Sequence, residues 1–145
     1  MGTPSIIGAE EFEVSGQTLD VTVLNVGNPQ CAVFVKDFPD RWQTLGAAIE
    51  RHPRFPNRTN VSFVKKAGDR RIDVRFFERG CGETMSSGTG STGAAVAAIS
   101  RGWVESPVIV DTPAGELTLK WDGTGDAQLT GPAEIVARGE FYFEP

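Results

Sequence analysis

The sequence is poor in the residues that build metal and disulfide centres, with one histidine and two cysteines in 145 residues. His52 alone excludes a histidine-based metal site and offers at most one imidazole as acid or base. Cys31 and Cys81 form neither a disulfide framework nor a metal-ligand spacing, and both are expected to be buried thiols. Positive charge is also short: 14 Lys and Arg against 19 Asp and Glu give a net charge of -5 and a pI near 4.9. A nucleic-acid partner is therefore not expected, and no basic run supplies one locally. No apolar run approaches the ~20 residues of a membrane span, and the N-terminus lacks the basic segment and apolar core of a signal peptide. No membrane partner is expected and the chain reads as cytoplasmic. Internal repeats and low-complexity segments are absent. So is the Gly-x-Ser-x-Gly elbow, which argues against a serine hydrolase.

What is present centres on residues 78–102. Ile72-Asp73-Val74-Arg75-Phe76-Phe77 has the β-branched and aromatic content of a strand, and Glu78-Arg79-Gly80-Cys81-Gly82-Glu83-Thr84 breaks it with glycines and charges. Ser86, Ser87 and Thr89 are N-cap residue types. The following Ala94-Ala95-Val96-Ala97-Ala98-Ile99 is apolar on every side, which predicts a helix over about residues 88–101, buried all round and stopped by Gly102. Gly88 and Gly90 carry no side chain to shield the first-turn N–H groups. Gly88, Thr89 and Gly90 are thus expected to offer an anion site at the positive end of the helix dipole.

The rest reads as short strands around that helix, with a length that fits one domain over residues 1–145. Phe12-Glu13-Val14 and residues 19–26 alternate as strands across a Ser15-Gly16 turn. Cys31-Ala32-Val33-Phe34-Val35 has the continuous apolar character of a strand buried on both faces. Asn28 and Gln30 stand at the junction before it, where a polar side chain is expected to bond its own turn, as Asn commonly does, rather than reach into a site. Residues 41–51 place Trp42, Leu45, Ala48 and Ile49 on one helical stripe. Asn60 stands at the next loop-to-strand junction, ahead of Val61-Ser62-Phe63-Val64, and residues 65–71 are expected to be a solvated hairpin turn. Val108-Ile109-Val110, residues 115–121, residues 127–130 and residues 134–141 read as further strands. Together they predict an α+β fold, a mostly antiparallel sheet curled around one central apolar helix.

Four motifs in order, Gly27-Asn28-Pro29, Phe55-Pro56-x-Arg58-Thr59-Asn60-Val61, Glu78-Arg79-Gly80-x-Gly82-Glu83-Thr84 and Gly88-Thr89-Gly90, resemble the second half of a diaminopimelate epimerase. Met1-Gly2-x-Pro4 is similar to an internal segment of that family, so the chain is expected to be one half of a longer protein, and Gly131-Pro132-Ala133 fits its closing strands. The resemblance implies an enzyme of two similar halves that epimerises an amino acid in the cleft between them, without a pyridoxal cofactor and with no metal. It implies two cysteines, one at the start of each central helix, acting as base and acid on opposite faces of the α-carbon. A helix N-terminus suits that task because it lowers a thiol pKa and holds the substrate carboxylate. Asn28, Asn60, Glu78, Arg79, Gly88 and Thr89 are the substrate contacts so implied, with Glu78 also among the catalytic positions. Two residues depart from the pattern. Ser87 occupies the cysteine position and Gln30 that of a histidine; a serine hydroxyl is a poor base unaided, and Gln30 does not titrate. Three readings stay open: an epimerase half acting on diaminopimelate in lysine and peptidoglycan precursor synthesis and inactive alone, a same-fold isomerase or dehydratase with one serine and one cysteine face, and a ligand-binding homologue. The implied partners are an amino-acid substrate and the missing N-terminal domain, with room left for a homodimer.

Overall fold

The computed structural model describes residues 1–144. Its strands are β1 (Ser5–Val14), β2 (Gln17–Asn25), β3 (Pro29–Val35), β4 (Asn60–Gly68), β5 (Arg71–Glu78), β6 (Gly82–Thr84), β7 (Val108–Thr112), β8 (Gly115–Lys120) and β9 (Gln128–Thr130). Two helices accompany them, α1 (Trp42–Glu50) between β3 and β4 and α2 (Gly88–Ser100) between β6 and β7. The strands form one sheet in the order β1-β2-β3-β4-β5-β7-β8-β9, with β6 paired to β5. Among the described strands only β3–β4 and β5–β7 are parallel, the pairs whose connections contain α1 and α2. The expected α+β fold, mostly antiparallel with one central helix, is the one observed.

β3 and the first half of β4 bury both faces, and side-chain alternation divides the core in two. Ala32 and Phe34 of β3, Val64 of β4 and Ile72, Val74 and Phe76 of β5 face α2. Cys31 and Val33 of β3 and Val61 and Phe63 of β4 face α1. That double burial explains the unbroken apolar run at 31–35. The sheet curls far enough for α2 to touch β2, β3, β4, β5, β7 and β8. A helix enclosed this way has to be slim, and Ala94, Ala95, Val96, Ala97 and Ala98 are all fully buried. Gly90 shows the limit: a Cβ there would lie 2.7 Å from the Phe76 ring.

Several expectations are corrected. The residues 65–71 turn is shorter than expected, because β4 and β5 stay paired out to Gly68 and Arg71. Gly82–Thr84, expected to be part of a break, folds back as β6 on the end of β5. On α1 the buried stripe is Trp42, Leu45, Gly46, Ile49 and Glu50, with Ala48 only partly buried. Residues 134–141 form no strand: residues 131–144 lack regular structure, and Val136 and Phe141 are 98% and 88% exposed. A strand needs a ladder partner for its N–H and C=O groups, and none of the described strands pairs with this segment. Cys31 is buried as expected, but Cys81 is exposed, at the tip of the β5–β6 turn. Among the described residues no helix is long and apolar enough to cross a membrane.

Candidate active site at the start of the buried helix

The strand register gathers the residues singled out from the sequence at one end of the sheet. Gln30 lies opposite Asn60 in the parallel β3–β4 pair, and Val61 lies opposite Phe77 in the antiparallel β4–β5 pair. Asn60 and Glu78, one step beyond that second pair, are therefore neighbours at the same edge. The α2 helix enters the curled sheet here, so Ser87, Gly88 and Thr89 join the same cluster.

Ser87 is the N-cap of α2, with extended backbone and its Oγ accepting the Gly90 N–H at 3.1 Å. This corrects the expectation that Gly90 offers a free donor: its N–H is taken, and the residue is buried. Gly88 is exposed and Thr89 partly so, and among the described residues neither N–H has a partner. Two first-turn donors at the positive end of the helix dipole therefore remain for an anion.

The Ser87 hydroxyl donates to Oε2 of Glu78 at 3.1 Å, while Oε1 of the same carboxylate accepts from Thr84 at 2.7 Å. The short β6 strand thus positions Glu78 through Thr84, a contact that sequence reasoning missed. Asn28 does not bond its own turn as expected. Asn25 does so, accepting the Gly27 N–H at 2.8 Å, while Asn28 donates to the Thr89 hydroxyl at 3.2 Å. Gln30 in turn donates to Oδ1 of Asn28 at 2.8 Å, but its own Oε1 is buried without a partner. It is wedged against α2 at Gly93, where a Cβ would lie 3.1 Å from its side chain.

Asn60 is committed to the backbone on both sides. Its Nδ2 donates to the Pro29 carbonyl at 3.1 Å and its Oδ1 accepts the Arg79 N–H at 2.9 Å. The Arg79 guanidinium is exposed and donates to the Asn57 carbonyl at 3.2 Å. A surface cleft of about 710 Å³ reaches Pro29 and Arg79 but is lined on its far side by Ile7, Arg54 and Phe55, away from Ser87. At the helix terminus itself Gly88 is exposed, Thr89 partly so, and Ser87 buried.

The other titratable candidates stand apart. Burial pushes the Cys31 thiol well up, which removes it as a nucleophile or base. His52 is spent on structure: its Nε2 lies 3.1 Å from the Glu13 carbonyl and its Nδ1 accepts the Arg54 N–H. No group of three or more His, Cys, Asp and Glu side chains is gathered among the described residues. Sequence reasoning also missed Glu50, which is 2% exposed on α1. The signal was there: Glu50 follows Trp42 by eight positions, on the same stripe as Leu45, Gly46 and Ile49.

Comparison with known proteins shows the family. Residues 22–136 match the family model described as diaminopimelate epimerase. A protein of that name from Pseudomonas syringae pv. tomato is 45% identical over 131 residues, covering 89% of this chain and 48% of the relative. Another, from Alkalilimnicola ehrlichii, is 43% identical over 143 residues, covering 97% of this chain and 51% of the relative. The chain spans about half the length of the curated relatives it matches. Among solved structures, a phenazine biosynthesis protein of the PhzF family from Bacillus anthracis superposes with a TM-score of 0.52 at 21% identity, over 83% of this chain and 36% of that one. A second, from Enterococcus faecalis, gives 0.51 at 17% identity over 84% and 41%. Those two share the fold. The family model runs from within β2 past β9 and takes in all of α2 and every residue gathered at its N-terminus, and the chain belongs to the diaminopimelate epimerase family.

Proposed function

We propose that this chain is the C-terminal half of a cofactor-independent epimerase that interconverts LL- and meso-diaminopimelate by proton transfer at the α-carbon. The observation that carries the reading is the open end of α2, where the free N–H groups of Gly88 and Thr89 adjoin the Ser87–Glu78 pair. The two N–H groups hold the substrate carboxylate and stabilise the charge that spreads onto it as the α-proton leaves. Asn28 orients the Thr89 hydroxyl beside them. Glu78 and the Asn60–Arg79 edge face the zwitterionic remainder of the substrate, with Arg79 free to turn its exposed guanidinium onto a carboxylate.

Ser87 occupies the place of a catalytic thiol. A serine hydroxyl exchanges a proton with carbon poorly unless a base takes its own, and Glu78 accepts that hydrogen bond. The opposite face of the substrate belongs to the other half of the protein, whose cysteine supplies the second acid/base group. The isolated chain is therefore inactive.

The test is α-proton exchange of diaminopimelate in deuterated solvent, followed by NMR. The complete protein should exchange it and this chain alone should not. Ser87→Cys in the complete protein should raise the rate, Glu78→Gln should lower it by about 10²–10⁴-fold, as for loss of a general acid/base, and Cys81→Ala should leave it unchanged. Sensitivity to Cys81 with indifference to Ser87 and Glu78 would overturn the assignment.

A second reading draws on Ser87 being committed as an N-cap and on Gln30 having no titratable group. One serine face and one cysteine face suit isomerisation or elimination. Exchange at the α-carbon without inversion, or loss of the substrate amine or a hydroxyl, would favour it.

A further inference from the structure

Glu50 has no part in the site as described, yet it is the most completely partnered carboxylate in its neighbourhood. It ends α1 with its side chain 2% exposed. Oε2 accepts from Arg51 Nε at 3.3 Å and from Arg58 Nη2 at 3.2 Å. Oε1 lies 3.1 Å from Arg58 Nε and accepts the Gly80 N–H at 3.2 Å. Burying a carboxylate is costly unless each oxygen is paired, so this geometry has to be built by several segments at once.

The segments it joins are the two that carry the substrate edge. Arg58 lies two residues before Asn60, and Gly80 directly follows Glu78 and Arg79. Both anchor points sit in the left-handed backbone region, Arg58 at φ +62° and Gly80 at φ +79°. That region is sparsely populated for a side chain as large as arginine, and the surroundings have to hold it there. The Arg58 fork onto Glu50 does so. Asn60 already clips the two segments together from inside, through the Arg79 N–H. Glu50 clips them from outside, through Arg58 and Gly80.

We propose that Glu50 is a positioning residue for this site: its buried carboxylate fixes the Arg58 and Gly80 turns, and thereby sets where Asn60, Glu78 and Arg79 stand relative to the end of α2. The inference rests on the functional reading above only for what the edge binds; the clamp itself is a matter of geometry. Glu50→Gln keeps an acceptor for the Gly80 N–H but loses the charge facing Arg58, whereas Glu50→Ala removes both. Arg58→Lys opens the clamp from its half-exposed side and keeps the positive charge, so it remains informative should Glu50→Ala not fold.

Two measurements test this. In this chain, amide hydrogen exchange at Arg79 and Gly80 should quicken by about tenfold or more in Glu50→Ala, and by less in Glu50→Gln and Arg58→Lys, while the amides of Ala94 to Ala98 keep their wild-type rates. In the complete protein, affinity for diaminopimelate by calorimetry should fall by about tenfold in Glu50→Ala and be partly restored in Glu50→Gln. Unchanged exchange at Gly80, or a parallel quickening throughout α2 with equal loss of affinity in all variants, would overturn the proposal and leave Glu50 as general ballast. A complete protein that binds no diaminopimelate with Glu50 intact would overturn the functional reading instead, and the exchange rates at Gly80 would then decide on Glu50 alone.

Discussion

The two helices pack on opposite faces of the same strands and solve different problems. Helix α2 is enclosed by a curled sheet, so it is built from residues small enough to be surrounded, and only its two ends reach solvent. Helix α1 covers the sheet from outside, so it needs one buried stripe and can bring large residues to it, Trp42, Leu45 and Ile49. Function follows the same division. The enclosed helix offers chemistry only at its end, through backbone donors and the Ser87 cap. The covering helix offers a long side chain from its last turn, Glu50, which reaches under the loops that border that end.

The largest expected effect is on packing at the enclosed helix. Phe76 is 1% exposed against α2, and Phe76→Ala should cost about 3–5 kcal/mol by urea denaturation. Its neighbour Phe77 points the other way and is only partly buried against the α1 cluster, so Phe77→Ala should cost at least about 1 kcal/mol less. Equal losses would mean that the two faces are packed alike and that the comparison fails.

Next comes the approach of α2 to the sheet. Gly90→Ala sets a methyl 2.7 Å from the Phe76 ring and should destabilise by about 1–3 kcal/mol. Gly88→Ala, two residues earlier and exposed, meets nothing closer than Leu129 at 3.7 Å and should be neutral or stabilise by up to about 1 kcal/mol. Thermal denaturation of both variants would distinguish a crowded helix from one whose glycines serve only the open end.

The two cysteines give a comparable contrast in pH. Burial holds the Cys31 thiol protonated in the folded chain, while the unfolded chain releases that proton once the pH passes its ordinary value near 9.0. The unfolded state then binds fewer protons than the folded one, so stability should fall with rising pH by about 1.4 kcal/mol per unit above that point. Cys31→Ala should lose this slope, whatever its own cost in packing. Exposed Cys81 should react with a thiol reagent in the native chain, and Cys31 only after denaturation. Rapid modification of both would mean that the α1 face opens readily.

The smallest effect expected is at the helix end. Sulfate, standing in for a substrate carboxylate, should bind in the millimolar range or more weakly, since a helix terminus contributes only about 0.3–1 kcal/mol from its dipole. Amide shifts should be largest at Gly88 and Thr89 and small at Gly90, whose N–H the Ser87 hydroxyl already holds. A dominant shift at Gly90 would show that the cap yields to the anion.

The sequence by itself determined most of the elements and singled out the residues that the fold gathers at the start of α2. The all-round apolar run after Gly88, the double-faced strand at 31–35 and the cap at Ser87 are local signals, because side-chain periodicity and capping chemistry act within a few residues. Four short motifs in order were enough to identify the family. Tertiary structure decided how those residues are used. Asn28 turned from its own loop to Thr89 because α2 begins beside it, and Asn60 was drawn onto two backbones because β3 and β5 flank it. Glu50 became a buried clamp because Arg58 and Gly80 come together under α1. Residues 134–141 read as a strand, yet no strand formed, since a ladder needs a neighbour and the described sheet ends at β9. Each of these depends on which strand lies beside which, a relation between residues distant in the chain that no local pattern encodes.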